Sequence, residues 1–210
     1  MFIIAPRIFM ELAMHQFLAL TSLGIEILLA EELTELGADN VSQKPEGIYF
    51  TANYKTAYDI CLRTRLATRV LLTIGHGPAK NKSELFATAS AIDWQQHFAC
   101  HHSFAIDFVG KSDEIRNSQF GALTIKDAIV DQFREKGFER PSIDKNDPNI
   151  RIQARLLRNE VCIYVDFSGR GLFQRGYRRH SGAAPLKENL AAAIIIRSGW
   201  LNDTSKPLLD

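Results

Sequence analysis

Only three cysteines occur in the 210 residues, Cys61, Cys100 and Cys162, and no two of them form a Cys-x-x-Cys pair. That number and spacing argue against a disulfide framework and against a thiolate zinc site, and suit buried thiols in a reducing cytosol. A histidine metal centre is equally ill-supported. His101 and His102 are adjacent, so on a strand they face opposite ways, and a helical His97/His101 pair has no carboxylate or thiol cluster to complete it. No apolar run approaches the roughly 20 residues that would cross a bilayer. The apolar opening Met1–Met10 lacks a basic start and is broken by Pro6 and Arg7, which argues against a secretion signal. There is no internal repeat, no low-complexity tract, no nucleophile elbow around His180 and Ser181, and no G-x-G-x-x-G loop at Gly169-Arg-Gly171. A cytoplasmic location without bound metal is the expectation.

What is present is enough apolar material, 46% of residues, for one large or two small domains. The formal charge of +1 conceals a gradient. Residues 1–60 carry three basic and eight acidic side chains, a net of −5, and the remaining 150 carry 22 and 16, a net of +6. A cationic second part suits a polyanion, because contacts to phosphates release counterions; a solvated surface of mixed sign is the plainer account.

The periodicity predicts short alternating strands and helices. Residues 1–14 read as an extension outside the fold, with Met14 a second plausible start. His15–Leu20 is a strand, Thr21-Ser22 a helix cap, and Ile25, Leu28, Leu29, Leu33 and Leu36 the inner face of the helix, with Glu26, Glu31, Glu32 and Glu35 around the outside. Strands follow at 41–44 and 47–51, turning at Pro45-Glu46. Asn53 then caps a helix to about Arg63, and a strand runs over 68–75. This is the pattern of a small α+β unit of ferredoxin-like type. Beyond it the spacing predicts a helix over 83–98, a half-buried strand over 103–109, a long helix from about Asn117 to Lys136, and two strands, 150–157 and 161–167, joined at Arg158-Asn-Glu160.

Arg151, Gln153 and Arg155 alternate along a strand and so share one face, where guanidinium groups can grip phosphates bidentately; strand exteriors are also charged for solubility alone. Lys111 and Arg116 flank the start of the long helix, whose free N–H groups and dipole already favour an anion; the plainer account makes Asn117 or Ser118 merely its cap. From Phe167 to Lys187 there are five basic side chains and no acidic one, including Arg170, Arg175 and Arg178. Phe173 and Tyr177 among them could stack on bases or pack the segment onto a neighbouring domain.

The run Ser168-Gly-Arg-Gly-Leu-Phe-Gln-Arg-Gly-Tyr-Arg178, followed by Ala184-Pro-Leu-Lys-Glu-Asn-Leu-Ala-Ala-Ala193, resembles the junction between the THUMP and catalytic domains of guanine-N2 ribosomal RNA methyltransferases. The Arg116-Asn-Ser-Gln119 start of the long helix and the two closing strands are similar to THUMP domains as well. The resemblance implies an α+β chain: a ferredoxin-like unit at 15–55, a THUMP RNA-binding domain at 56–167, and at 168–210 a connector with the first elements of a truncated Rossmann-like methyltransferase domain. It implies 23S ribosomal RNA as partner and S-adenosyl-L-methionine as cofactor of the full-length parent. Pro207–Asp210 would then be half a strand leading to the cofactor loop, with Asp210 the one candidate contact of a truncated site.

The family's Asn-Pro-Pro-Tyr or Asn-Pro-Pro-Phe motif and Gly-rich loop are not in the sequence, so no catalytic residue and no activity are expected of this chain alone. The apolar helix 191–200 could drive self-association. Other readings are a THUMP module of a tRNA-modifying enzyme, a non-catalytic protein-interaction module, and action on DNA adenine through the shared motif.

Overall fold

The computed structural model describes residues 13–176 and 184–208. They divide into two compact units, one of residues up to Val70 together with those from Arg170 onward, the other Leu71–Gly169. The expected extension at 1–14 falls almost wholly outside the described residues.

The first unit runs β1 (His15–Leu20), α1 (Glu26–Glu35), β2 (Asp39–Lys44), β3 (Gly47–Ala52), α2 (Tyr54–Arg63) and the start of β4 (Arg69–Pro78), the ferredoxin-like succession. β3 pairs antiparallel with both β1 and β2. Phe17, Leu18, Phe50 and Ile48 are buried there with Leu29 and Leu33 of α1 and Ile60 of α2. Asn53 caps α2 as the sequence predicts, its side chain accepting from the Thr56 N–H at 2.8 Å.

Two expectations fail in α1. Thr21-Ser22 is not its cap: the Thr21 hydroxyl donates to the Leu66 carbonyl (2.8 Å), and α1 starts four residues later without a side-chain cap bond. Glu32, expected outside, is buried. Its carboxylate accepts from the Thr64 hydroxyl (2.7 Å), the Arg65 N–H (3.0 Å) and Nε (3.1 Å), and the Leu66 N–H (3.2 Å). Four donors from one loop outweigh the desolvation of a carboxylate.

The first unit also takes in the C-terminal segment. Helix α5 (Glu188–Arg197) buries Asn189 and Ala193, Asn189 donates to the Ser22 hydroxyl (3.4 Å), and Arg197 donates to the Gly24 carbonyl (2.5 Å). Among the described residues the half strand expected from Pro207 is not seen. Residues 203–206 curl back, with the Trp200 indole donating to the Lys206 carbonyl (2.8 Å), Pro207 and Leu208 belong to no strand, and 209–210 lie outside the described residues.

In the second unit the strand order is β4-β7-β6-β5, with β5 (Phe104–Val109) parallel to β6 (Ile150–Leu157) and β7 (Glu160–Asp166) antiparallel to β6 and β4. Arg158 and Asn159 turn the β6–β7 hairpin with φ of 50° and 64°, the left-handed pair that a two-residue loop requires. Helices α3 (Lys82–Ser90) and α4 (Ser118–Glu135) cover one face over a core that includes Trp94, Phe98, Phe104, Phe108, Ile129 and Phe133. A Cβ at Gly121 would meet the Phe108 ring at 2.7 Å, so glycine lets α4 lie directly on β5.

The single helix expected over 83–98 is two pieces, α3 and a one-turn 3₁₀ segment at Trp94–Gln96. Gln132 of α4 explains the break: its amide donates to the carbonyls of Ser90 (3.2 Å) and Ile92 (2.7 Å) and accepts from the Trp94 N–H (2.9 Å). The carbonyls that a continuing helix would use are satisfied from across the core.

Candidate nucleic-acid interface

Strand β5 ends at Gly110, where φ is +110° and any Cβ would collide with the Leu156 carbonyl oxygen, so the chain leaves the sheet there and needs glycine to do so. The loop that follows is pinned from below. Ile115 is fully buried, its N–H donates to the Ser112 hydroxyl (3.0 Å), and that hydroxyl donates to the Lys80 carbonyl (3.0 Å). Lys111, Arg116 and Asn117 are thereby held at the surface, before α4.

Asn117 is the cap of α4, its side chain accepting from the Phe120 N–H at 2.7 Å. Arg116 spends only Nε, on the Asp113 carbonyl (2.8 Å), which orients the guanidinium and leaves both terminal nitrogens for an anion. Lys111 has no ion-pair partner among the described residues. Lys82 adds a further cation, 6.0 Å from the centre of the Phe120 ring.

Arg151 and Arg155 share a face of β6, but they are not equivalent. Arg151 pairs with Asp107 of β5 (3.1 Å), whereas Arg155 has a buried Nε without a hydrogen-bond partner. Gln153 between them is buried. Arg170 is exposed in the first unit, while Arg175, also there, has its guanidinium on the carbonyls of Cys61, Leu62 and Thr64. Arg178 and Asp210 lie outside the described residues, as do Tyr177, His180 and Ser181.

Residues 16–71 match the family model described as the RlmL ferredoxin-like domain, and residues 79–166 match that of the THUMP domain. The chain is a ferredoxin-like unit joined to a THUMP domain. Lys111, Arg116, Asn117, Arg151 and Arg155 therefore all belong to the THUMP domain. Helix α2 lies within the 16–71 match and within the compact unit that ends at Val70, where Glu32 of α1 accepts from the loop that follows it.

Among curated proteins the chain is 68% identical over 201 residues to the ribosomal RNA large subunit methyltransferase K/L of Colwellia psychrerythraea, covering 96% of this chain and 28% of that protein. Two solved structures share the fold and appreciable sequence. One is a Listeria monocytogenes protein described as a "predicted N6-adenine-specific DNA methylase" (TM-score 0.80, 28% identity, 92% of this chain and 50% of that one). The other is SMU.472, described as a "putative methyltransferase" and solved with SAH (TM-score 0.78, 30% identity, 89% and 49%).

The sequence reading missed Lys126 and Lys145. Together with Arg151 they line a cavity of about 500 Å³ between β5, α4 and the segment around Ile143. Lys126 sits two turns into α4 and Lys145 lies among Asp144, Asn146 and Asp147, so neither forms a basic run that a linear reading detects. Among the described residues no cluster of three or more His, Cys, Asp or Glu gathers, and no helix is long and apolar enough to cross a membrane.

Proposed function

We propose that this chain is the RNA-gripping part of an S-adenosyl-L-methionine-dependent 23S ribosomal RNA guanine-N2 methyltransferase. The observation that carries the reading is an RlmL-type ferredoxin-like domain directly before a THUMP domain, in a chain 68% identical to a K/L methyltransferase of which it spans 28%. In this reading the exposed Lys111 and Arg116, the α4 N-terminus capped by Asn117, and Arg151 and Arg155 bind backbone phosphates. Arg170 is a separate exposed cation of the first unit, whereas the guanidinium of Arg175 is taken up by the carbonyls at the end of α2 and is withdrawn from the RNA-binding set. Phosphate contacts fix the position of a folded RNA and leave selection of the base to whatever domain does the chemistry.

The cofactor does not fit these 210 residues. They contain neither a Gly-rich loop after a strand nor an Asn-Pro-Pro motif, and Asp210 offers a single carboxylate. No methyl-transfer step is assigned to any group here. The exposed Ile194, Leu186 and Leu201 favour self-association of this chain at high concentration.

The test is incubation of the 210-residue chain with folded ribosomal RNA fragments and labelled S-adenosyl-L-methionine. Salt-sensitive RNA binding without label transfer is expected; transfer of label to the RNA would refute the division of labour.

A further inference from the structure

The cavity beside β5 is an unusual feature of a strand edge, because most of the strand's outer side is neither paired nor covered. β5 is the last strand of its sheet. The Phe104 N–H donates to the Ser142 carbonyl (3.0 Å) and the Phe104 carbonyl accepts from the Asp144 N–H (3.2 Å), while the Ser103 carbonyl serves Ile150 at the head of β6. Backbone groups alternate along a strand, so those of Ile106 and Phe108 point the same way as those of Phe104, toward the cavity. Among the described residues they have no backbone partner on that side. An unpaired donor and acceptor, a residue's width apart, stand open beside the apolar side chains of Leu123 and Ile143.

Charge surrounds this edge. Lys126, Lys145 and Arg151 line the cavity and Asp107 is the one lining carboxylate, held by Arg151. Lys126 also meets Asp127 at 2.5 Å, and Lys145 has no ion-pair partner among the described residues. A neutral or cationic ligand has nothing to gain from this set. An extended peptide is poorly served too, because the open edge is only as long as Ile106–Phe108: the segment at Ser142–Asp144 closes one end and Gly110 turns away at the other. Strand addition draws its affinity from a longer ladder. A compact, flat, polar ring carrying an anionic tail fits what is there, and a cavity of about 500 Å³ lies in the range of small-ligand sites.

We infer that this cavity holds one unpaired nucleotide of the bound RNA, its base against Leu123 and Ile143 with its hydrogen-bonding edge on the Ile106 backbone, and its phosphate between Lys126 and Lys145. The inference rests on the RNA-binding reading and adds a base-holding pocket to it. Phosphate contacts elsewhere are blind to whether the RNA is paired, whereas this pocket is closed to a base inside a duplex.

The experiment compares three RNAs of equal length bound to the 210-residue chain: a hairpin with an unpaired loop, a blunt duplex, and the same hairpin with abasic loop positions. The hairpin should bind at least about five-fold more tightly than the other two, on the scale of one base stacked and hydrogen-bonded. Lys145→Glu, at an exposed position, and Ala122→Phe, which fills the cavity from α4, should each erase that preference while leaving duplex affinity within about two-fold. Equal binding of hairpin and abasic hairpin, or a preference that survives both variants, overturns the pocket while leaving RNA binding intact. Binding of an acidic peptide in place of any RNA overturns both.

Discussion

The Arg175 guanidinium and the Thr64 carbonyl lie 2.6 Å apart, and the same side chain reaches the carbonyls of Cys61 (3.1 Å) and Leu62 (2.9 Å) at the end of α2. A helix leaves its last carbonyls without partners, and here a cation from 111 residues away supplies them at the negative end of the dipole. The Arg175 N–H in turn donates to Glu188 (3.2 Å) at the first turn of α5. Arg175→Met should therefore lower stability in urea by about 1–2 kcal/mol, since charged hydrogen bonds at a partly exposed site give no more. It should also speed amide exchange of residues around 170–176.

Glu32 has a larger part in stability. Glu32→Gln keeps the shape but turns an amide N–H₂ toward a loop that presents donors only, from Thr64, Arg65 and Leu66. A loss of roughly 2–4 kcal/mol is expected, read as a lower urea midpoint at unchanged m-value. Thr64→Val removes one donor and should cost less.

Burial lowers the pKa of His15, which stacks on Tyr54 with its Nε2 unpartnered, and of His97, where Asp93 opposes the effect in part. Both folded-state values lie below the unfolded one, so the unfolded chain takes up protons first as pH falls. Their contribution to stability is full above about pH 7 and shrinks as pH drops through the ordinary histidine value of about 6.5. Unfolding midpoints should decline between pH 7.5 and 5.5, and His15→Phe with His97→Leu should flatten the decline. A wild-type midpoint that is level across that window contradicts the assignment.

Lys111→Ala and Arg116→Ala should weaken RNA binding to a similar extent whatever the sequence. Each should reduce the slope of log K against log salt by about 0.7–0.9, the value for one phosphate contact. Melting temperatures should be unchanged, because among the described residues Lys111 makes no ion pair and Arg116 bonds only a neighbouring carbonyl.

Local signals were legible wherever one segment determined its own structure. Asn53 and Asn117 announced their helices, β6 was readable to the residue, and the Arg158-Asn159 turn followed from its flanking strands. What failed depended on partners distant in sequence. Gln132 stops α3 from 40 residues away, and Glu32 looks like a surface residue until the loop after α2 brings its donors. The same holds for the interface. Lys111 and Arg116 sit beside a recognisable cap, but the cavity joins Arg151, Lys126 and Lys145 from a strand, a helix and a loop, and no spacing rule links them.

RNA binding is proposed for the exposed cations of the THUMP domain, Lys111 and Arg116 foremost. The most direct measurement is the affinity of the 210-residue chain for a folded ribosomal RNA fragment and for duplex DNA of equal length, titrated across salt. The account predicts tighter binding to the RNA, with log K falling linearly as log salt rises; equal or tighter binding to the DNA, or RNA affinity indifferent to salt, would contradict it.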